Sequence, residues 1–144
     1  MLVRQILNSK GSGAVLTIRP DSTVAEAARL LSEQRIGCLV VGQDQSAPAG
    51  VISERDIVRE LGARGPDCLR QPVAALMTEE VVTCTPEHQA DDVLALMTNG
   101  RFRHLPVMEG GRMVGLISIG DVVKARLSEL SMEKDALEGM IAGR

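Results

Sequence analysis

The chain has 144 residues, 44% of them hydrophobic and 24% charged, with a formal net charge of -3. With no broad basic face, and Phe102 as its single aromatic residue, it offers neither the phosphate-binding surface nor the stacking platform that nucleic acid requires. Its apolar stretches are far short of a membrane span, and the opening "MLVRQILNSKG" lacks the long apolar region of a secretion signal, so the sequence predicts a soluble, cytoplasmic protein.

After a short lead-in, "AVLTI" reads as a strand and "PDST" as a turn and helix start. Val24, Ala27, Ala28 and Leu31 then carry the i, i+3, i+4, i+7 spacing of a helix with one apolar face. "CLVVG" reads as a strand, "GQDQSAPAG" as a surface loop and "GVIS" as a second strand. Asp56 marks the start of a second helix, where an acidic side chain suits the exposed amides. "GARGPDCLRQP" is a link, and the same grammar then begins again. "VVTCT" is a strand and "PEHQ" a turn, and Ala90, Val93, Leu94 and Met97 repeat the helical spacing. "HLPVM" and "MVGLIS" are strands, and Asp121 marks a last helix. The tail "ARLSELSMEKDALEGMIAGR" is rich in helix formers and extends that helix.

The two stretches are copies. A shift of 66 places Thr17 on Thr83, Pro20 on Pro86, Arg35 on Arg101 and Leu39 on Leu105. After the loop the shift becomes 65, placing Gly50 on Gly115, Ser53 on Ser118 and Asp56 on Asp121. A change of register confined to a loop is what a tandem repeat with one insertion shows. The predicted fold is α/β (α+β), two β-α-β-β-α units in tandem. Residues 1–64 form repeat 1 with its lead-in, 65–72 a linker, 73–127 repeat 2 and 128–144 a helical tail. Neither unit is large enough to bury much core alone, so the pair is expected to fold as one.

The repeated Ser-x-x-Asp sits where a strand gives way to a helix. There a serine can donate to a phosphate and a carboxylate can accept both ribose hydroxyls; the alternative is a plain helix cap. "RFRHLPV" adds Arg101, Arg103 and His104, suited to phosphate or to solvent, where the first copy has Arg35, Gly37 and Cys38. Gly37 leaves room for something flat. No Walker loop, G-x-S-x-G, H-E-x-x-H or G-x-G-x-x-G is present, so no enzyme is predicted. Cys38, Cys68 and Cys84 lack the spacing of a zinc site and read as reduced thiols, Cys38 and Cys84 as buried ones. His88, at a helix start, reads as exposed.

Together "GVISERDIV", "GLISIGDVV", "RHLPV" and the T-x-x-P before each first helix resemble tandem CBS domains, the cystathionine-β-synthase type that pairs into a Bateman module, over residues 2 to 127. The pattern is most like stand-alone bacterial CBS-pair proteins. The resemblance implies pseudo-two-fold symmetry with a cleft on each side, and adenosine ligands in those clefts: AMP, ADP, ATP, NAD(H) or S-adenosylmethionine. It implies a homodimer that regulates another protein and does not catalyse.

By the resemblance, Asp56 and Asp121 hold ribose, while Ser53 and Ser118 face phosphate; Arg55 adjoins Asp56, and Ile119 and Gly120 adjoin Asp121. Backbone borrowed from the other repeat comes from Arg19, Val24, Ile36 and Gly37 for the Asp121 cleft. For the Asp56 cleft it comes from Thr85, Ala90, Phe102 and Arg103. Arg103 and His104 match the phosphate-facing basic pair, so the Asp121 cleft is expected to be the tighter. Lys10 is a further cation that the sequence does not place. Ile57, Val58 and Leu61, with Val122, Val123 and Leu127, are the expected dimer faces. A dimeric interaction scaffold with unused clefts is the alternative function.

Overall fold

The computed structural model describes residues 1–11, 15–43 and 46–143, so Ala14 of the first predicted strand and two residues of the first loop lie outside the described residues. In the first repeat, β1 (Thr17–Ile18) runs parallel to β2 (Cys38–Val41), which pairs antiparallel with β3 (Gly50–Ser53). Helix α2 (Val24–Gln34) connects β1 to β2, and α3 (Glu54–Arg64) follows β3. In the second, α5 (Ala90–Gly100) leads to the hairpin of β4 (His104–Glu109) and β5 (Arg112–Ser118), and α6 (Ile119–Ile141) follows. The predicted strand "VVTCT" shrinks to one parallel bridge, Cys84 to Val107. It occupies the place of β1, whose own ladder is only two residue pairs long.

Each repeat has its own aliphatic core. Leu39 and Ile52 anchor the first, Leu105 and Ile117 the second, all at 0% exposure. Helices α2 and α5 both end on an arginine in the left-handed region, Arg35 at φ 53° and Arg101 at φ 59°, so both copies make the same sharp exit toward the next strand.

The repeats are locked by exchanging their lead-ins. Helix α1 (Val3–Ser9), counted with repeat 1 in sequence, buries Val3 and Ile6 in the core of repeat 2. The short α4 (Val73–Leu76), counted with repeat 2, buries Val73 in the core of repeat 1. The stitching is symmetric: Val3 N–H donates to the His88 carbonyl at 2.9 Å, and Val73 N–H to the Ser22 carbonyl at 2.7 Å.

The exchange explains the glycine that opens "GVIS" and "GLIS". A Cβ on Gly115 would stand 2.7 Å from Leu7 Cδ2, where α1 crosses β5. A Cβ on Gly50 would stand 2.8 Å from the Thr78 carbonyl oxygen, where the segment after α4 crosses β3.

Candidate functional site

Two corners of this fold are built alike. Ser53 ends β3 and starts α3; Ser118 ends β5 and starts α6. Each serine Oγ accepts from the backbone N–H of the aspartate three residues on, at 3.3 Å for Asp56 and 3.1 Å for Asp121. Each aspartate Oδ2 accepts in return from the serine N–H, at 2.8 Å and 2.9 Å. These reciprocal bonds are a capping box, so the cap reading of Ser-x-x-Asp is realised at both corners. Neighbouring chain closes each helix start further. Glu54 N–H donates to the Gly37 carbonyl at 3.0 Å, and Ile119 N–H to the Arg103 carbonyl at 2.8 Å. The Ile119 amide is thereby taken up by protein, and neither Ile119 nor Gly120 is among the residues lining the Asp121 cleft.

The two carboxylates differ in what else they hold. Asp56 Oδ2 also accepts from Ser53 Oγ at 3.0 Å, and its Oδ1 accepts from Arg59 at 2.8 Å. Its side chain is only 10% exposed. Asp121 Oδ2 accepts from Lys10 Nζ at 2.8 Å, and its side chain is 22% exposed. Burial alone would raise the Asp121 carboxyl. The Lys10 and Ser118 hydrogen bonds, with the Lys10 charge, outweigh that and hold it below its ordinary value.

A cleft opens at each corner. The Asp121 cleft has a volume of about 920 Å³, and Ser118, Asp121, Ile36, Gly37, Lys10 and Arg4 are among its lining. The Asp56 cleft is about 350 Å³, with Ser53, Asp56, Arg55, Arg59, Phe102 and Arg103 among its lining. Gly37, Cys38 and His104 face both. A Cβ on Gly37 would make only ordinary contacts, 3.5 Å to Glu54 Oε1 and 3.9 Å to His104 Cε1.

Arg103 was expected at both clefts, with its backbone at Asp56 and its charge beside Asp121. Its carbonyl is bonded to the start of α6, but the residue lines the Asp56 cleft. His104 does reach the Asp121 cleft, and it faces the Asp56 cleft as well. Burial, with Lys10 and Arg103 nearby, lowers its pKa despite Asp121 and Glu54. Arg19 and Thr85 line neither cleft: Arg19 pairs with Asp21 at 3.0 Å, and Thr85 N–H donates to His88 Nδ1 at 2.9 Å. His88 is accordingly half-buried and holds its own turn. The amides of Val24 and Ala90 are engaged by the exchanged lead-ins, donating to the Gln71 and Met1 carbonyls at 2.9 Å each. Cys38 and Cys84 are buried free thiols, and burial first, with Asp56 adding, pushes Cys38 up to about 12.

Sequence reasoning missed the lead-ins as cleft walls. "VRQIL" and "VAALM" match at a shift of 70, a signal outside the register used for the repeats. That shift places Leu7 on Met77 and Lys10 on Glu80. Lys10 lines the Asp121 cleft and Glu80 the Asp56 cleft, so the charge of this wall is reversed between the two.

Among the described residues, no group of three or more His, Cys, Asp or Glu side chains is placed to hold a metal ion, and no helix is long and apolar enough to cross a membrane.

The sequence matches the model of the CBS domain at residues 3–63 and 73–128. It is 36% identical over 148 residues to the CBS domain-containing protein CBSX3, mitochondrial, of Arabidopsis thaliana, covering 98% of this chain and 72% of that protein. The crystal structure of a CBS-domain containing protein from Agrobacterium tumefaciens superposes with a TM-score of 0.83 at 43% identity, covering 88% of this chain and 99% of that one. The CBS domain pair of protein MJ0100, crystallised with 5'-methylthioadenosine and S-adenosyl-L-methionine, shares the fold with a TM-score of 0.77 at 23% identity, covering 90% of this chain and 98% of that one. With two matched copies, exchanged lead-ins and a Ser-x-x-Asp corner in each, the chain belongs to the CBS domain family as a tandem pair.

Proposed function

We propose that the protein is a regulatory module that binds an adenine nucleotide, such as AMP, ADP, ATP or NAD(H), in its Asp121 cleft and relays occupancy to a partner protein. The observation that carries this reading is the unequal employment of the two aspartates. Asp56 spends both oxygens on Ser53 and Arg59, whereas Asp121 bonds through Oδ2 alone among the described residues and is more exposed. Asp121 also opens on the larger volume, which lies at the upper end of the range for small-molecule sites. Ribose hydroxyls would take the Asp121 carboxylate, and phosphate would take Lys10. The adenosine ligands of MJ0100 fit this class of compound. The module is a cytoplasmic homodimer with no chemistry of its own in this reading. Three free, buried cysteines suit a reducing compartment, and exposed Val58, Val123 and Leu127 suit a self-contact. Two residues of the expected dimer faces do not contribute, because Ile57 and Val122 are buried in the cores.

The scaffold reading has one observation in its favour: both Ser-x-x-Asp corners already satisfy themselves as capping boxes. Melting curves separate the two readings. On protein stripped of ligand, AMP, ATP, NADH or S-adenosylmethionine at about a hundred times its dissociation constant adds about 2.7 kcal/mol of stability if it binds only the folded state. A rise in melting temperature with at least one of them is expected. No shift with any of them leaves the scaffold.

A further inference from the structure

The last helix carries a pattern that the two repeats do not use. At its start α6 is docked on the core through buried Val122 and Ala125. Roughly 100° around the helix from that docked stripe, a second stripe runs through Val123, Leu127, Leu130, Lys134, Leu137 and Ile141. Its steps alternate four and three residues. That is the 3.5-residue period of a coiled-coil seam, not the 3.6 of a helix lying on a globular core. All five apolar members are exposed, Leu127 by 62% and Ile141 by 86%.

We infer that this seam pairs antiparallel with α6 of a second copy of the chain. The charges along it select that occupant and that direction. In a parallel pair, Lys134 would face its own counterpart inside the seam, and Glu133 would flank Glu138 of the second copy. In an antiparallel pair centred near Met132, Lys134 faces Leu130, Val123 faces Ile141 and Leu127 faces Leu137. Lys124 then flanks Glu138 of the second copy at both ends, two opposite-sign pairs against one like pair where Glu133 meets its counterpart at the centre. Lys134 keeps a charge partner on its own helix, Glu138 Oε1 at 3.9 Å, while its alkyl stem fills the seam. The stripe is roughly 27 Å long, short for an unsupported coiled coil. Its first turns are already held on the core, so less order is lost on pairing. The inference supplies a surface for the self-association proposed above and does not depend on nucleotide binding.

The test uses the full chain with Leu130→Cys and Lys134→Cys prepared as separate proteins. Both positions are solvent-exposed, and the wild type with its three buried cysteines is the blank. Each variant is oxidised alone, and then as a mixture after subunit exchange. The expected result is a cross-linked dimer from the mixture, little from either variant alone, and loss of that band when Leu137→Glu is added. Lys134→Cys cross-linking alone as well as the mixture does would overturn the antiparallel pairing. No cross-link in any sample, with circular dichroism showing folded protein, would overturn the seam. Light scattering on the same samples keeps the two proposals distinguishable. A dimer mass without cross-links removes this surface and leaves the self-association, whereas a monomer mass removes both.

Discussion

The Asp121 and Asp56 clefts start from the same backbone plan and reach different chemistry through a few side chains. Both have a serine-started helix, a capping-box aspartate and a neighbouring carbonyl bonded to the first amide. At Asp121 the wall from the exchanged lead-in brings Lys10, and the carboxylate is 22% exposed over about 920 Å³. At Asp56 the equivalent wall brings Glu80, Arg59 binds the carboxylate, and about 350 Å³ remains. The Asp56 side holds more arginines, with Arg55, Arg59, Arg101 and Arg103 all lining it. Cationic lining alone therefore does not define the nucleotide cleft in this reading; an accessible acceptor for ribose does. A capping box keeps the frame identical, and the residues outside it set what each copy can bind.

The largest effect should fall on the frame. Leu39 and Leu105 hold equivalent positions and are both fully buried. Leu39→Ala and Leu105→Ala should each cost about 2–5 kcal/mol, and the protein should still unfold in one step because the lead-ins bind the repeats together. Denaturant titration of both variants checks this, and two separate transitions in either would show that the repeats fold independently.

A smaller asymmetry is expected at the glycine pair. In Gly50→Ala the new methyl meets the Thr78 carbonyl oxygen at 2.8 Å, an atom of the backbone that cannot swing aside. In Gly115→Ala it meets only the end of the Leu7 side chain, at 2.7 Å. Overpacking costs about 1–3 kcal/mol. Gly50→Ala should sit at the upper end and Gly115→Ala near the lower, read as the difference between their melting temperatures. Equal losses would mean that the two crossings are equally rigid.

How far these features could be read from sequence depends on their range. The repeat, the two-strand core of each copy and the Ser-x-x-Asp corners are local patterns, and they stand where the spacing put them. The exchange of lead-ins is a contact between distant segments, and nothing in "VRQIL" alone says which core receives Val3. Arg103, expected to lend backbone to the Asp56 cleft and its charge to Asp121, lines only the Asp56 cleft, for a related reason. Whether a residue just ahead of a strand faces one side or the other depends on how its carbonyl is used, and here it is bonded to Ile119. His104 was read as half of a basic pair, and the burial that lowers its pKa is not written in the sequence. "VVTCT" looked like a full strand, but only Cys84 finds a bridge partner.

That half-buried imidazole gives the smallest prediction. The folded state lowers the His104 pKa from its ordinary 6.5, so the unfolded chain takes up the proton first as pH falls. Stability is full above that ordinary value and declines as pH drops below it toward the folded value. His104→Gln should flatten this part of the curve. Thermal melts of both proteins between neutral and mildly acidic pH test it, and parallel curves would mean that His104 does not titrate differently on folding.

The central claim is that the Asp121 cleft is the nucleotide site, and the most direct measurement is calorimetric titration of Asp121→Ala and Asp56→Ala with AMP. Circular dichroism must show that both remain folded. Loss of hydrogen bonds to a charged acceptor costs about 1.5–3 kcal/mol, so Asp121→Ala should weaken the tight site by about ten- to a hundred-fold. Asp56→Ala should weaken it much less. The account is contradicted if Asp56→Ala abolishes the tight site while Asp121→Ala leaves it intact.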